Sequence, residues 1–589
     1  MSDRTTTDAT PPAEHVSSTP IAVPVPGTGP LVQAPCGPVR GLWRTIVPPG
    51  PPAAAPVTTP GTTSACRAPD RTRQPTGYGR SAAFYNIPYA EAPVGRLRLM
   101  APVRRTRWKE ERAALAPGPT PQRGSVFEDP AIPEPSVPGE DMLNLNVFTP
   151  VPGQVGAGLP VYVWIHGGGW SSGCQASPWY DGAAFNRDGV VTVVPSYRLG
   201  FDGYGWVDGS DAPLNRGVLD QVLALEWVRD NIADFGGDPA DVTVGGQSAG
   251  GGNVLTLMTA PRAEGLFCRG IIESAAVTDI PADRARDTAR QIAELAGVTP
   301  TLEGWHTLDY DQLFATTTGF EAHRTELAAT HTPPLAHRVR AALVPGEGTT
   351  ITYGPTVDGD VLPLGVHEAV ARGHSAGVPL LAISTTHEFL AATSELADEM
   401  EGRSAAEVLT EAGVDAGLAR DYVAGHPEHT DRQHLLLGNV LSDAMFHLPL
   451  VAWAEARHCH RSTHDSTAGT WISRFAWESP ATGWSTHCFE VPFAFDCLTH
   501  PYCDHTLQGR PPQSLADAVH GDWVRFITTG DPGWTAWDER GLGRTYGDPR
   551  GPRPDGAADG EVYRLQRRLL AAGRSLRRQD TTQGRSPQG

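Results

Sequence analysis

Val242-Thr-Val-Gly-Gly-Gln-Ser248-Ala-Gly-Gly-Gly-Asn-Val-Leu-Thr-Leu-Met-Thr-Ala260 is the stretch from which the rest of the chain can be read. A short apolar run leads into small residues around one serine, and a helical pattern, Gly251 to Ala260, follows. A G-x-S-x-G string in that setting puts the serine on a sharp strand-to-helix turn, its hydroxyl standing above a sheet. Gly246 and Gly250 relieve crowding at such a turn. The same string occurs twice more, at Gly169-Trp-Ser171-Ser-Gly173 and Gly373-His-Ser375-Ala-Gly377, and in a chain with 65 glycines the string alone is weak. Context separates the three. Ser375 follows a helical pattern (Val366 to Arg372) and precedes an apolar run (Val378 to Ser384), the reverse of the required order. Ser171 follows an apolar run but leads into a loop, Cys174-Gln-Ala-Ser-Pro-Trp. Ser248 is therefore the candidate nucleophile.

Working outward, short apolar runs bounded by turn residues predict buried strands at Val161 to Ile165, Val190 to Val194, Val242 to Gly245, Gly270 to Glu273, Val378 to Ser384 and Trp471 to Phe475. Between the second and third lies a helical face of Val218, Leu219, Val222, Leu225, Val228 and Ile232, stopped by Gly236 and Gly237. Strands alternating with helices predict an α/β fold, a mainly parallel sheet covered on both faces. Residues 277–345 read as helical cap insertions. The Pro/Thr/Ser-rich residues 1–38 read as a disordered extension, the Pro/Ala/Thr-rich stretch 47–64 as an irregular insertion, and residues 39–560 as one catalytic domain. Residues 561–589 read as a helix end followed, from about Gly573, by a disordered tail.

The net charge of −19 argues against a nucleic-acid partner, which needs clustered Lys and Arg. The N-terminus lacks a basic start followed by an apolar run, and no run of 18 apolar residues is visible, so neither a secretory leader nor membrane insertion is expected. Eight cysteines in 589 residues do not make a disulfide framework. A cytoplasmic protein is the resulting expectation. His458-Cys459-His460 with His464, and His500 with Cys503 and His505, match no common zinc spacing, so no metal or other cofactor is expected.

A serine hydroxyl attacks only when a neighbouring base takes its proton. The tetrahedral intermediate also needs preorganised donors for its oxyanion, each commonly worth about 3–4 kcal/mol. His166-Gly167-Gly168-Gly169, directly after the run Val161 to Ile165, offers a flexible series of backbone N–H groups. A phosphate loop would carry a following Lys-Ser/Thr, which is missing here.

Several ordered motifs then carry a family resemblance: Asn86-Ile-Pro-Tyr-Ala, Pro93-Val-Gly-Arg-Leu-Arg98, Glu140-Asp-Met-Leu-Asn-Leu-Asn146, Val163-Trp-Ile-His-Gly-Gly-Gly169, Phe235-Gly-Gly-Asp-Pro239 and Gly246-Gln-Ser-Ala-Gly250. Over roughly residues 80 to 550 the chain resembles the type-B carboxylesterases, relatives of the cholinesterases, with the α/β-hydrolase fold. The resemblance implies a serine carboxylic-ester hydrolase acting on a small-molecule ester. It implies oxyanion donors at Gly168, Gly169 and Ala249. Thr385-Thr-His-Glu388-Phe resembles the stretch holding the family's triad acid, and His487-Cys-Phe-Glu-Val-Pro-Phe493 the stretch holding its histidine. The implied triad is Ser248, Glu388 and His487, in the α/β-hydrolase order Ser, acid, His. Arg98 with Glu140 resembles a structural ion pair, and Ser274 a serine that hydrogen-bonds the triad acid.

Departures are equally specific. Gln247 stands where the family often has Glu, Glu273-Ser-Ala where it has Gln-Ser-Gly, and Met142 where it has a disulfide cysteine. No Trp lies between Lys109 and Gly139, which disfavours cholinesterase specificity. Trp170 reads either as an acyl-pocket wall or as core. An acyltransferase on the same triad and a non-catalytic cholinesterase-like binding protein are the rival readings; the first is separated by product analysis, and the second is disfavoured by the presence of all three triad residues.

Overall fold

The computed structural model describes residues 22–25, 27–47, 78–121, 130–330, 332–344, 351–390, 396–463, 468–509, 511–548 and 561–582. The strand Leu159–Ile165 shows why the chain folds as it does. Val161, Val163 and Ile165 pack into one core layer, while Tyr162 and Trp164 pack into another. A strand with both faces buried places successive side chains in opposite layers, which requires apolar residues throughout.

That strand lies in an eleven-stranded sheet made of β1 (Ala22–Pro24), β2 (Leu42–Ile46), β3 (Arg80–Pro88), β4 (Asn144–Thr149), β5 (Leu159–Ile165), β6 (Val191–Pro195), β7 (Gly237–Gln247), β8 (Arg269–Glu273), β9 (Leu380–Thr385), β10 (Thr470–Phe475) and β11 (Arg544–Tyr546). Their spatial order is β1-β2-β3-β4-β6-β5-β7-β8-β9-β10-β11. Pairing is antiparallel from β1 to β6 and parallel from β6 to β11. In the centre, Gly246 of β7 pairs with Ile165 of β5, and Gln247 with Glu273 of β8.

Helix α1 (Arg216–Asn231) and helix α2 (Ala249–Thr259) cover one face with Val218, Val222, Leu225, Val254 and Leu255. Helix α3 (Gln513–Thr529) covers the other with Val519, Trp523 and Phe526. The six sequence-derived strands and both flanking helices are present, and the chain has the α/β-hydrolase fold. Gly236 closes the helical segment with φ 87°, a left-handed conformation that favours glycine, and β7 begins at once. Between 277 and 345 the chain forms helices Ala282–Ala296, Leu302–His306, Tyr310–Thr330 and Leu335–Leu343.

Both ends of the described chain are more ordered than their composition predicts. Residues 1–21 and 48–77 lie outside the described residues, so the extension and the insertion expected there are described only in part. Within the expected extension 1–38, however, Ala22–Pro24 is β1, and Leu31–Ala34 pairs with Gly37–Arg40 in a hairpin that buries Val32, Ala34 and Val39. The hairpin's alternation is real but hidden by the Pro-rich context. At the other end, helix α4 (Arg564–Thr582) continues past Gly573, burying Leu569, Leu570 and Leu576. Asp580 is held by Arg340 at 2.8 Å. One continuous helix, Gln433–Arg461, is long and apolar enough to cross a membrane by length and composition, although no 18-residue apolar run stood out in the sequence. Its most apolar window is 72% buried inside the fold, and it carries the buried ion pair of Asp443 with His447.

Candidate active site

The carboxyl ends of the parallel strands converge on one site, the position at which α/β sheets bind ligands. Ser248 links β7 to α2 with φ 57° and ψ −124°, conformations rare for a residue with a Cβ. Its N–H donates to the Glu273 carbonyl at 2.8 Å, and its carbonyl accepts from Ala276 N–H at 3.1 Å. Glycine at 250 is a steric requirement: a Cβ there would lie 2.1 Å from the Ile165 carbonyl oxygen. Ser171 lies in the glycine-rich turn after β5 and Ser375 is fully buried, its Oγ accepting from Arg457 at 2.9 Å, so neither stands on a strand-to-helix turn.

After β5, Gly168 (φ 113°) and Gly169 (φ 59°) turn the chain beside this elbow. A Cβ on Gly167 would approach the Ser248 Cβ to 3.1 Å, which places the loop against the serine. Among the described residues, the N–H groups of Gly168, Gly169 and Ala249 donate to no protein acceptor. His166 turns inward: burial holds its imidazole at about 4, and the ring stacks on Tyr197 at 4.5 Å.

Glu388 follows β9 with φ 34° and is 1% exposed. One carboxylate oxygen accepts from the Ser274 hydroxyl at 2.8 Å and from the Thr385 N–H at 2.9 Å; the other meets His487 Nδ1 at 2.5 Å. Three donors on a buried carboxylate fix its orientation and compensate its desolvation. The His487 N–H also donates to the Glu388 carbonyl, at 3.1 Å, and Phe389 and Phe446 pack on the imidazole with centroids 4.5 and 5.0 Å away. With Nδ1–H directed at Glu388, His487 Nε2 is an acceptor. It lies 3.1 Å from the Gln247 side-chain nitrogen, which also lies 3.2 Å from Cys488 Sγ. The Ser248 hydroxyl makes no hydrogen bond among the described residues; such contacts often tighten only when substrate is present.

Behind Ser274 are two further buried carboxyls. Burial raises Glu273 to about 8, and the Trp523 indole N–H donates to it at 2.9 Å. Burial, with Glu273 and Glu388 nearby, raises Glu490 well above the usual carboxyl range, and its Oε1 lies 3.3 Å from the Ser274 hydroxyl.

Three other sequence readings are decided by contacts. Arg98 does not pair with Glu140; its Nε lies 3.8 Å from Asp202, and its guanidinium also donates to the Leu308 carbonyl. Trp170 is core, fully buried with its indole N–H on Asn253 at 2.8 Å. Ser274 bonds the acid as the resemblance implies. Of the two sequence-noted His/Cys groups, His464 lies outside the described residues, His460 faces the Ala371 carbonyl at 2.7 Å, and the His500 ring accepts from Tyr502 N–H at 3.2 Å.

The structure instead gathers His387, Glu428 and His429, with ligand-type atoms within 4.8 Å. Their separation in the sequence gives no signal for this cluster. Ser485 N–H donates to His387 Nδ1 at 2.9 Å, and burial, followed by the charge of neighbouring histidines, holds that imidazole at about 3. The neutral ring therefore carries its proton on Nε2 and has no free lone pair for a cation.

Comparison with known proteins agrees with this geometry. The family model described as "Carboxylesterase family" matches residues 71–543. Para-nitrobenzyl esterase of Bacillus subtilis (strain 168) is 30% identical over 470 residues, 77% of this chain and 88% of that protein. Mus musculus carboxylesterase 1D is 27% identical over 540 residues, 85% and 90% of the two chains. Among solved structures, the Geobacillus stearothermophilus carboxylesterase EST55 at pH 6.2 superimposes with a TM-score of 0.67 at 25% identity, covering 92% of this chain and 99% of that one. A PNB esterase superimposes equally well at 27% identity over the same shares. With the elbow, the glycine loop and the Glu388–His487 pair at the ends of one parallel sheet, this chain belongs to the carboxylesterase family and is a carboxylic-ester hydrolase.

Proposed function

We propose that the enzyme cleaves small-molecule carboxylic esters through a covalent acyl-enzyme on Ser248. His487 Nε2 takes the Ser248 proton as the hydroxyl attacks the ester carbonyl, then delivers it to the leaving alcohol. Water, deprotonated by the same nitrogen, releases the acid in the second half-reaction. Glu388 fixes the tautomer and stabilises the imidazolium that forms in each half. The N–H groups of Gly168, Gly169 and Ala249 receive the oxyanion.

The observation that carries this reading is the 2.5 Å contact of Glu388 with His487 Nδ1, which leaves Nε2 as the basic atom at the foot of the serine elbow. The absence of acceptors for the three N–H groups among the described residues supports the oxyanion assignment. We further propose a cytoplasmic enzyme with no nucleic-acid partner and no membrane insertion. The free thiols of Cys36, Cys174, Cys268, Cys488, Cys497 and Cys503, the net charge of −19 and the burial of the long apolar helix favour that reading.

The test is hydrolysis of p-nitrophenyl butyrate as a function of pH. Activity should rise with pH through about 6–7.5, because an imidazole must be neutral to accept the serine proton. A chemistry-limited rate that is flat from about pH 5 to 8 would contradict a histidine base. Butyrate should be the product; a butyryl ester or amide formed preferentially with added alcohol or amine would identify a transferase instead.

A further inference from the structure

We propose that Gln247 is a positioning residue that caps the catalytic imidazole at rest: its carboxamide N–H occupies the Nε2 lone pair that Ser248 must use, and is displaced when the reaction begins. The inference rests on the assignment of Ser248 and His487 made above.

A neutral imidazole with Nδ1–H committed to a carboxylate has one acceptor site, Nε2. In this structure that site is filled by the Gln247 amide at 3.1 Å rather than by the Ser248 hydroxyl. Of the two amide hydrogens, the second is directed at Cys488 Sγ, 3.2 Å away. The orientation of the amide follows from the network: its oxygen in that place would set lone pair against lone pair at Nε2. The side chain is 1% exposed, so water does not compete for these contacts. Gln247 is also the last residue of β7, adjacent to the strained Ser248, so backbone and side chain are anchored on opposite sides of the elbow.

A carboxylate at position 247 would do the opposite of a carboxamide. It has no hydrogen to give Nε2 and favours the imidazolium, whereas the amide favours the neutral ring. The other charged or titratable groups facing the imidazole are Glu388 at Nδ1, Glu490 and Glu273 behind Ser274, and the Cys488 thiol, which burial raises. The Asp443–His447 ion pair carries no net charge; both His447 ring nitrogens face oxygen acceptors, Asp443 at 2.6 Å and the Thr385 carbonyl at 2.8 Å. Phe389 and Phe446 supply only apolar contact.

The experiment compares kcat/KM against pH for wild type, Gln247→Met and Gln247→Glu on p-nitrophenyl butyrate, with thermal melting of each to confirm folding. Met keeps the volume and removes the donor; Glu keeps the shape and replaces donor with charge. The acid limb should move up by about half a pH unit in Gln247→Met and by more than about one unit in Gln247→Glu. The order wild type, Met, Glu supports the cap. A limb that stays in place for Met overturns it, whether or not Glu moves, because the amide then does nothing to Nε2 that an apolar side chain does not. If wild type shows no acid limb, or Ser248→Ala remains active, it is the underlying assignment that fails and not the cap.

Discussion

Ser248→Ala lowers kcat on p-nitrophenyl butyrate by about 10⁵-fold or more, with little change in melting temperature, while Ser375→Ala remains active. Removing the nucleophile from a hydrolase triad typically forfeits a factor of this order, and what survives comes from the oxyanion donors and binding alone. Stability should hold because the Ser248 hydroxyl has no hydrogen bond among the described residues, so its loss orphans no partner. Ser375 is the informative control because it sits in the same string, Gly373-His-Ser-Ala-Gly377, but is buried against Arg457 at a helix-to-strand junction. Steady-state kinetics of the two variants, with melting curves, checks both statements. Retention of wild-type activity by Ser248→Ala would remove the elbow assignment.

Glu388→Gln lowers kcat by about 10⁴-fold, the loss expected when a triad carboxylate becomes a carboxamide. The contacts around Glu388 predict why. The Ser274 hydroxyl and the Thr385 N–H both donate to Oε1 and will hold the oxygen of the new amide in that place. Its NH₂ group is then forced toward His487 Nδ1, the atom that now donates to the carboxylate at 2.5 Å. The ring must place its proton on Nε2 to accept that donor, and a protonated Nε2 cannot take the serine proton. The loss should therefore fall on kcat with KM nearly unchanged, since Glu388 touches no substrate. An unaltered kcat would mean that another acid orients the imidazole.

The central sheet and the elbow were legible in the sequence because β5, β9 and the inner parts of β7 and β8 are buried on both faces and read as short apolar runs. The periphery was not. The hairpin of Leu31–Ala34 with Gly37–Arg40 buries alternate residues inside a Pro-rich context, and α4 buries Leu569, Leu570 and Leu576 within an Arg-rich segment. In both places a few well-spaced apolar side chains outweigh the composition around them. The glycine loop could be read from its chemistry. Glu388 and His487 could not, because nothing in an isolated glutamate or histidine shows what it faces; the family resemblance supplied them. The Gln247 contact joins residues 240 positions apart, and the resemblance gave only the information that a charge was missing there. Arg98 shows the limit of such transfer, since in this chain its guanidinium turns to Asp202 and the Leu308 carbonyl instead of Glu140.

Covalent labelling identifies the nucleophile directly. The enzyme is inactivated with diethyl p-nitrophenyl phosphate, digested and mapped by mass spectrometry, since a phosphoryl ester persists where an acyl ester turns over. One diethylphosphoryl group per chain is expected, on Ser248, formed in step with the loss of activity and absent from Ser248→Ala. Labelling of Ser171 or Ser375 in its place, or complete inactivation with Ser248 unmodified, would contradict the Ser248 assignment.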